Sequence, residues 1–152
     1  MSKKTGMWFE EFEPGQSYSS AGRTMTETDL TMFSMLSGDW NPIHADAEFC
    51  KSTKYGQRLI HGALGIAIST GMMHELGIFQ DTAVAMLAIR DWQFTRPIFV
   101  GDTLHLKLDI LDCDGSRSTR MGSVDRRFTL INQNDEIAQV GQCAVLMLKR
   151  PA

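Results

Sequence analysis

The sequence lacks any excess of basic residues, because 15 lysines and arginines stand against 18 aspartates and glutamates. The formal net charge of −3 at pH 7 provides no positive field for a phosphate backbone, so we expect no nucleic-acid partner. A small anionic ligand is not excluded by the net charge, because a local cluster of lysine and arginine side chains would be enough to bind it.

Cysteine is scarce, and the three cysteines are far apart in the sequence, at Cys50, Cys113 and Cys143. An odd and unclustered set argues against a disulfide framework and against a zinc site. Free thiols fit a reducing compartment. We therefore expect no metal and a cytoplasmic location.

Long apolar runs are also missing. The longest, near Gly62–Met73, is too short to cross a bilayer and is followed by His74 and Glu75. The first 15 residues contain no apolar signal core. The 152 residues contain no repeat, low-complexity tract or long linker, so we expect one soluble domain over residues 1–152, with no membrane partner.

The first half of the chain predicts two helices. Thr26 suits a helix N-cap, with Asp29 in a capping-box position, and Gly38 suits the left-handed position after the helix. An apolar stripe is predicted between them at Leu30, Phe33 and Leu36. The second helix should run from about Gly62 to Leu76. Its many small residues cost helix stability, which close packing against a sheet would explain, and its apolar circumference predicts burial.

The second half of the chain predicts strands. Val84–Phe94 is apolar on both faces, as in a covered strand, whereas Thr103–Ile110 alternates between apolar and polar residues. Ser123–Ile131 and Ile137–Lys149 predict two more strands, and Gln16–Arg23 predicts a short one before the helices. Helices grouped before a run of strands favour an α+β fold in which an antiparallel sheet wraps around one helix.

Two short segments combine residues that could carry out chemistry. The loop after the first helix brings Asp39, Asn41 and His44 close together, and Pro42 stiffens it. Spacing alone leaves open that the aspartate only caps a turn and that the histidine is structural. Gly62 opens the second helix, where free N–H groups could stabilise an oxyanion. The alternative is that this glycine only permits close packing.

The segment Phe33–Cys50 resembles the hydratase signature G-D-x-N-P-x-H of the MaoC-like, (R)-specific enoyl-CoA hydratase family. Gly38, Asp39, Asn41, Pro42 and His44 all match it. Leu59–Gly62 resembles the start of the family's central helix. Phe94–Asp102 and Trp8–Gln16 also resemble family segments, so that the likeness covers nearly the whole chain.

This resemblance implies a single hot-dog domain, in which a curved antiparallel sheet wraps around a buried central helix. It implies that Asp39 and His44 form the acid–base pair, that Asn41 supports them, and that the N–H of Gly62 polarises the thioester carbonyl. Some members have an assisting serine in the central helix. The matching position here is Thr70, beside Ser69, which is a departure from the family.

The implied reaction is the reversible addition of water to an enoyl thioester. It needs no cofactor, because coenzyme A or an acyl carrier is part of the substrate, and the family implies a homodimer or a multiple of it. A dehydratase acting on the acyl carrier protein, a hot-dog thioesterase and a non-catalytic acyl-binding subunit remain alternatives. The stretch Gly62–His74 contains no carboxylate, which weighs against a thioesterase, since these enzymes typically carry one on or beside the central helix.

Overall fold

The computed structural model describes residues 6–151. The first five residues and the last residue of the expected 1–152 domain lie outside this range. After a 3₁₀ turn at Phe9–Glu11, the described chain contains four helices and six strands. The helices are α1 (Glu27–Ser37), α2 (Pro42–Ala45), α3 (Ala47–Lys51) and α4 (Gly62–Glu75). The strands are β1 (Ser17–Ser19), β2 (Arg23–Thr24), β3 (Ala83–Phe94), β4 (Thr103–Asp114), β5 (Met121–Ile131) and β6 (Ile137–Leu148).

All strand pairs are antiparallel, and the order across the sheet is β1-β4-β5-β6-β3, with β2 also paired to β4. The predicted alternation in β4 is confirmed, because its even-numbered apolar residues are fully buried. The inner face of the sheet and the buried side of α4 together form the core, which includes Leu64, Ile68, Met72, Leu104, Leu106, Leu108, Ile110, Val124, Phe128, Leu130, Val145 and Met147.

Helix α4 begins and ends close to where the sequence predicts, and a glycine explains how it approaches the sheet. A Cβ atom on Gly65 would lie 2.3 Å from Nε2 of Gln139 on β6. Glycine removes this clash, and the Gln139 amide instead donates a hydrogen bond of 3.1 Å to the carbonyl of Gly62. The cost of glycine in this helix is thus offset by close packing, as expected.

Three expectations from the sequence need correction. The segment Gln16–Arg23 forms two short strands, β1 and β2, because the chain between them leaves the ladder. Leu36 is 83% exposed, so the apolar stripe of α1 reaches the core only through its first members. The strand β3 was expected to be covered on both faces, but it is an edge strand with large apolar side chains about half exposed.

Both hydrogen bonds of the predicted capping box of α1 are present. The Thr26 hydroxyl accepts a hydrogen bond from the Asp29 N–H, and the Asp29 carboxylate accepts one of 2.9 Å from the Thr26 N–H. At the other end, Gly38 has a φ of +75°, a conformation that glycine adopts without strain. Both ends of α1, including the end next to the loop at residues 39–44, are therefore set by local contacts.

We expect Thr26→Ala to lower the free energy of unfolding by about 1 kcal/mol, because it leaves helix N–H groups without their cap. The corresponding fall in melting temperature would be about 3 °C for a domain of this size. Denaturant unfolding measures the change. Thr28→Ala, at an exposed position two residues along the same helix, is the control and should change stability little. Equal effects of the two substitutions would contradict the capping role.

Candidate active site

A cavity of about 510 Å³ opens at the N-terminal end of α4. One wall comes from α2 and the segment before α4, and the other from the end of β3 and the turn that follows it. Both His44 and Gly62 line the cavity, together with Ile43, Lys54, Tyr55, Leu59, Ile60, Phe94, Thr95, Arg96, Pro97, Ile98 and Gln139. Two of the residues singled out from the sequence therefore share one enclosure.

Asp39 lies at the rim of this region, on the loop that Gly38 turns away from α1. The backbone N–H of Asn41 donates a hydrogen bond of 3.2 Å to Oδ1 of Asp39. The carboxylate is otherwise accessible, with 51% of the side chain exposed. Its second oxygen, Oδ2, is the atom that lies nearer the two histidines.

The short helix α2 orients His44. The Asn41 side chain caps this helix by accepting a hydrogen bond from the N–H of Ile43, and Pro42 occupies its first turn. The Nδ1 atom of His44 lies 2.7 Å from the carbonyl oxygen of Leu59. Because a carbonyl only accepts, Nδ1 carries the proton, and Nε2 of the neutral ring has a free lone pair.

Nε2 of His44 and Oδ2 of Asp39 are 3.9 Å apart. This distance is too long for a direct hydrogen bond, but a single water could lie within about 2.8 Å of both atoms. The His44 side chain is 14% exposed, which leaves it accessible from the cavity but shielded from bulk solvent. The pair is thus arranged to hold one water between an acid and a base.

His61 connects these groups to the start of α4, a role for which the sequence analysis did not single it out. It is 3% exposed, and its Nε2 lies 3.0 Å from the backbone carbonyl of Asp39, to which it donates. Its ring stacks on His44 with centroids 3.7 Å apart. Its Nδ1 has no hydrogen-bond partner within residues 6–151.

Gly62 follows His61 as the first residue of α4, where backbone N–H groups lack helical partners. A Cβ atom at this position would lie 2.8 Å from Cε1 of Phe94, which also lines the cavity. Glycine therefore allows the Phe94 ring to pack against the start of α4. The positive end of the helix dipole adds to the attraction for a developing negative charge.

Asp39, His44 and His61 are the one group within the described chain whose ligand atoms are close enough to consider for a metal, all lying within 4.8 Å. Their hydrogen bonds do not favour this use. The Nε2 proton of His61 is directed at the Asp39 carbonyl and the Nδ1 proton of His44 at the Leu59 carbonyl, so each ring already uses one nitrogen as a donor. The donor set fits proton transfer better than metal binding.

Thr70 and Ser69 lie further along α4, away from the cavity that contains His44. Their hydroxyls donate to helix carbonyls, at 2.6 Å from Thr70 to Ala67 and at 2.7 Å from Ser69 to Ile66. Thr70 is eight residues from Gly62, or about 12 Å along the helix axis. Both line a second, smaller cleft between α4 and β3. Their assisting role remains a prediction.

The described part of the chain contains no helix that is long and apolar enough to cross a membrane.

Most basic side chains in and around the cavity are already paired with carboxylates. Arg58 pairs with Glu27, Lys51 with Glu48 and Arg96 with Glu136. Lys54 lines the cavity, and no salt bridge is found for it within residues 6–151.

Comparison with known proteins gives consistent results. Protein MaoC of Klebsiella aerogenes is 32% identical over 101 residues, which are 66% of this chain and 30% of that protein. An (R)-specific enoyl-CoA hydratase of Rhodospirillum rubrum is 31% identical over 97 residues, or 64% of this chain and 65% of the hydratase. The chain thus corresponds to less than two thirds of the length of each relative.

Among solved structures, a protein described as a monoamine oxidase regulatory protein from Archaeoglobus fulgius superposes with a TM-score of 0.88 at 30% identity. The superposition covers 96% of this chain and 97% of that one. The architecture, an antiparallel sheet wrapped around α4, is that of a hot-dog domain. Residues 10–131 match the family of the MaoC like domain, and the chain therefore belongs to the MaoC-like dehydratase family, whose named relatives include hydratases and dehydratases.

Proposed function

We propose that this protein is a hydro-lyase that adds water reversibly to an α,β-enoyl thioester and forms the (R)-3-hydroxyacyl product. The observation that carries the proposal is the 3.9 Å separation of Asp39 Oδ2 and His44 Nε2, with His44 lining the same cavity as the helix start at Gly62. An acid, a base and an oxyanion donor are the groups that this reaction requires.

In the proposed mechanism, the water between Asp39 and His44 attacks C3 of the enoyl group. Nε2 of His44 accepts a proton from the water, since its Nδ1 proton is held by Leu59. Negative charge develops on the thioester oxygen, where the N–H of Gly62 stabilises it. A proton is then returned to C2 on the same face of the double bond. Asn41 supports the pair by holding the Asp39 carboxylate through its backbone N–H.

We propose coenzyme A as the carrier of the acyl group. Lys54 and Arg96 line the cavity, and Lys54 is the cation there that is free to meet a phosphate. The hydratase among the relatives has enoyl-CoA in its name. The acyl carrier protein remains the second candidate carrier, and parallel assays with the two thioesters would distinguish them.

A thioesterase is the main competing activity for this fold. Among the residues of α4, Glu75 is the one carboxylate, and it lies exposed at the last position, far from the cavity at the other end. A short enoyl-CoA assay separates the candidates when loss of the conjugated double bond and release of free thiol are followed together. We expect loss of the conjugated double bond without release of free thiol. A thioesterase would release thiol, and a non-catalytic binding subunit would give neither signal.

We also propose that the protein forms a homodimer or a multiple of it through β3. This edge strand carries an unpaired backbone edge and several half-exposed apolar side chains, Val84, Met86, Leu87, Ile89 and Phe94. Such edges and patches are usually covered in native proteins. Phe94 and Thr95 also line the cavity, so a partner on this edge would lie next to the site.

Asp39→Asn and His44→Gln should each reduce the hydration rate by at least about 100-fold, because each removes a proton-transfer group while keeping size and polarity. The double variant should be little worse than the worse single one, since both residues act on one water. Initial rates on a short enoyl-CoA measure this. His74→Gln, at an exposed position near the end of α4, is the matched control. Near-normal rates in folded Asp39→Asn and His44→Gln would show that the loop is structural.

Gly62→Val should reduce turnover by about 100-fold or more, the cost of losing one oxyanion donor, because its side chain would clash with the Phe94 ring in the cavity wall and displace the start of α4. Ala63→Val places the same side chain at an exposed position one residue later and controls for helix propensity. If both variants are folded and equally active, Gly62 is only a packing residue.

Light scattering at micromolar concentration should give a dimeric mass or a multiple of it. Leu87→Lys should weaken the dimer at least about tenfold, since it places a charge in a desolvated interface. Met35→Lys, at an exposed apolar position on α1, is the control and should leave the mass unchanged. A monomer in the unsubstituted protein would contradict the proposed assembly.

A further inference from the structure

A hydrogen-bonded pair, Trp92 and Gln139, separates the cavity of the candidate active site from the second cleft along α4. The Trp92 indole donates a hydrogen bond of 3.1 Å to Oε1 of Gln139, and Nε2 of Gln139 donates one of 3.1 Å to the carbonyl of Gly62. Gln139 is 2% exposed and lines the first cavity, whereas Trp92 lines the second cleft. Both ends of the buried amide are therefore bonded, which holds it in one orientation.

Two glycines make room for this pair. A Cβ atom on Gly65 of α4 would overlap the Gln139 amide, and a Cβ atom on Gly141 of β6 would overlap the Trp92 ring. Glycine weakens both helices and strands, so its presence on each side marks places of close approach. The Trp92 ring also packs on Phe128, with ring centroids 5.9 Å apart. The pair is thus clamped between the helix and the sheet.

A bulge in β3 lies at Trp92. The register with β6 shifts between Arg90 and Gln93, and Asp91 within this stretch has a φ of +50°. This left-handed conformation costs an aspartate less than most residues, but it is still uncommon. Bulges bend a strand and change the direction of a side chain. Here the strand is bent at the point where the tryptophan meets Gln139.

The space beyond the pair is very small. The second cleft holds only about 10 Å³, which is at the lower limit of the roughly 10–15 Å³ that one water needs. The first cavity, in contrast, holds about 510 Å³. Ile66 already belongs to the cleft and lies four residues after Gly62, or about 6 Å along the helix axis. Free space that runs along α4 from Gly62 therefore ends within about one turn of the helix.

We propose that the Trp92–Gln139 pair closes the acyl pocket, so that the substrates are short-chain enoyl thioesters of about four carbons. This inference rests on the proposed function, because it takes the thioester carbonyl to lie at the N–H of Gly62. A four-carbon acyl chain extends about 4 Å from its carbonyl carbon, at about 1.3 Å per bond, and ends before the wall. A chain of eight carbons would need about 5 Å more. It would have to turn back toward the mouth of the cavity, where its methylene groups gain little burial.

Two saturated ligands, butyryl-coenzyme A and octanoyl-coenzyme A, test the depth of the pocket by calorimetric titration of the full protein. Each methylene that is buried in an apolar pocket tightens binding about fourfold, so an open channel would favour the octanoyl ligand by about a hundredfold or more. We expect the octanoyl ligand to bind no more tightly than the butyryl ligand. Tighter binding of the octanoyl ligand would overturn the inference, and this comparison requires no variant.

Trp92→Leu should open the pocket, because it vacates the space of the indole and leaves the Gln139 amide free to turn. We expect the affinity for octanoyl-coenzyme A, relative to butyryl-coenzyme A, to rise at least about tenfold. Trp8→Leu makes the same substitution beside the end of β6 at Leu148, outside both spaces, and should leave this ratio unchanged. A folded Trp92→Leu variant that keeps the ratio of the unsubstituted protein would contradict the proposed wall.

Hydration of the corresponding 2-enoyl thioesters separates this inference from the proposed function. The unsubstituted protein should favour the four-carbon over the eight-carbon thioester at least about tenfold in kcat/KM, since a pocket that is too short rejects added methylene groups. Equal hydration of the two thioesters would overturn the closed pocket and leave the hydratase intact. The expected binding ratios without hydration of either thioester would support the closed pocket and remove the hydratase.

Discussion

The close approach of α4 to β6 is the constraint on which the candidate site depends. Gln139 reaches the helix because Gly65 has no side chain, and it then binds the carbonyl of Gly62 from one side of its amide and the Trp92 indole from the other. This contact fixes the first turn of the helix against the sheet. Gly62, the first residue of that turn, lines the cavity, and its N–H has no partner within the helix.

His61 extends the same constraint to Asp39 and His44. It precedes Gly62, so its position is fixed by the helix start, and from there it binds the backbone of Asp39 and stacks on the ring of His44. Asp39, His44 and Gly62 therefore all contact or adjoin His61, although they come from separate segments of the chain. Such preorganisation places reacting groups before the substrate arrives, which is where much of an enzyme's rate enhancement originates.

Local rules allowed much of this architecture to be predicted from the sequence. The cap at Thr26, the left-handed Gly38 and the alternation of β4 follow from short-range stereochemistry and are all confirmed. Leu36 and β3 were placed wrongly because an apolar pattern does not reveal what covers it. The role of His61 could not be predicted either, since its contact with Asp39 joins residues 22 positions apart.

The exposed edge strand β3 and the candidate site are adjacent, because the last residue of β3 lines the cavity. The end of β3 borders the cavity at Phe94, and this is where the proposed thioester would enter. An open apolar edge invites unspecific pairing with other strands. Covering most of β3 with a second subunit would remove that hazard and narrow the entrance at the same time. The same edge would then serve both assembly and substrate access, which would account for the exposed apolar side chains that it carries.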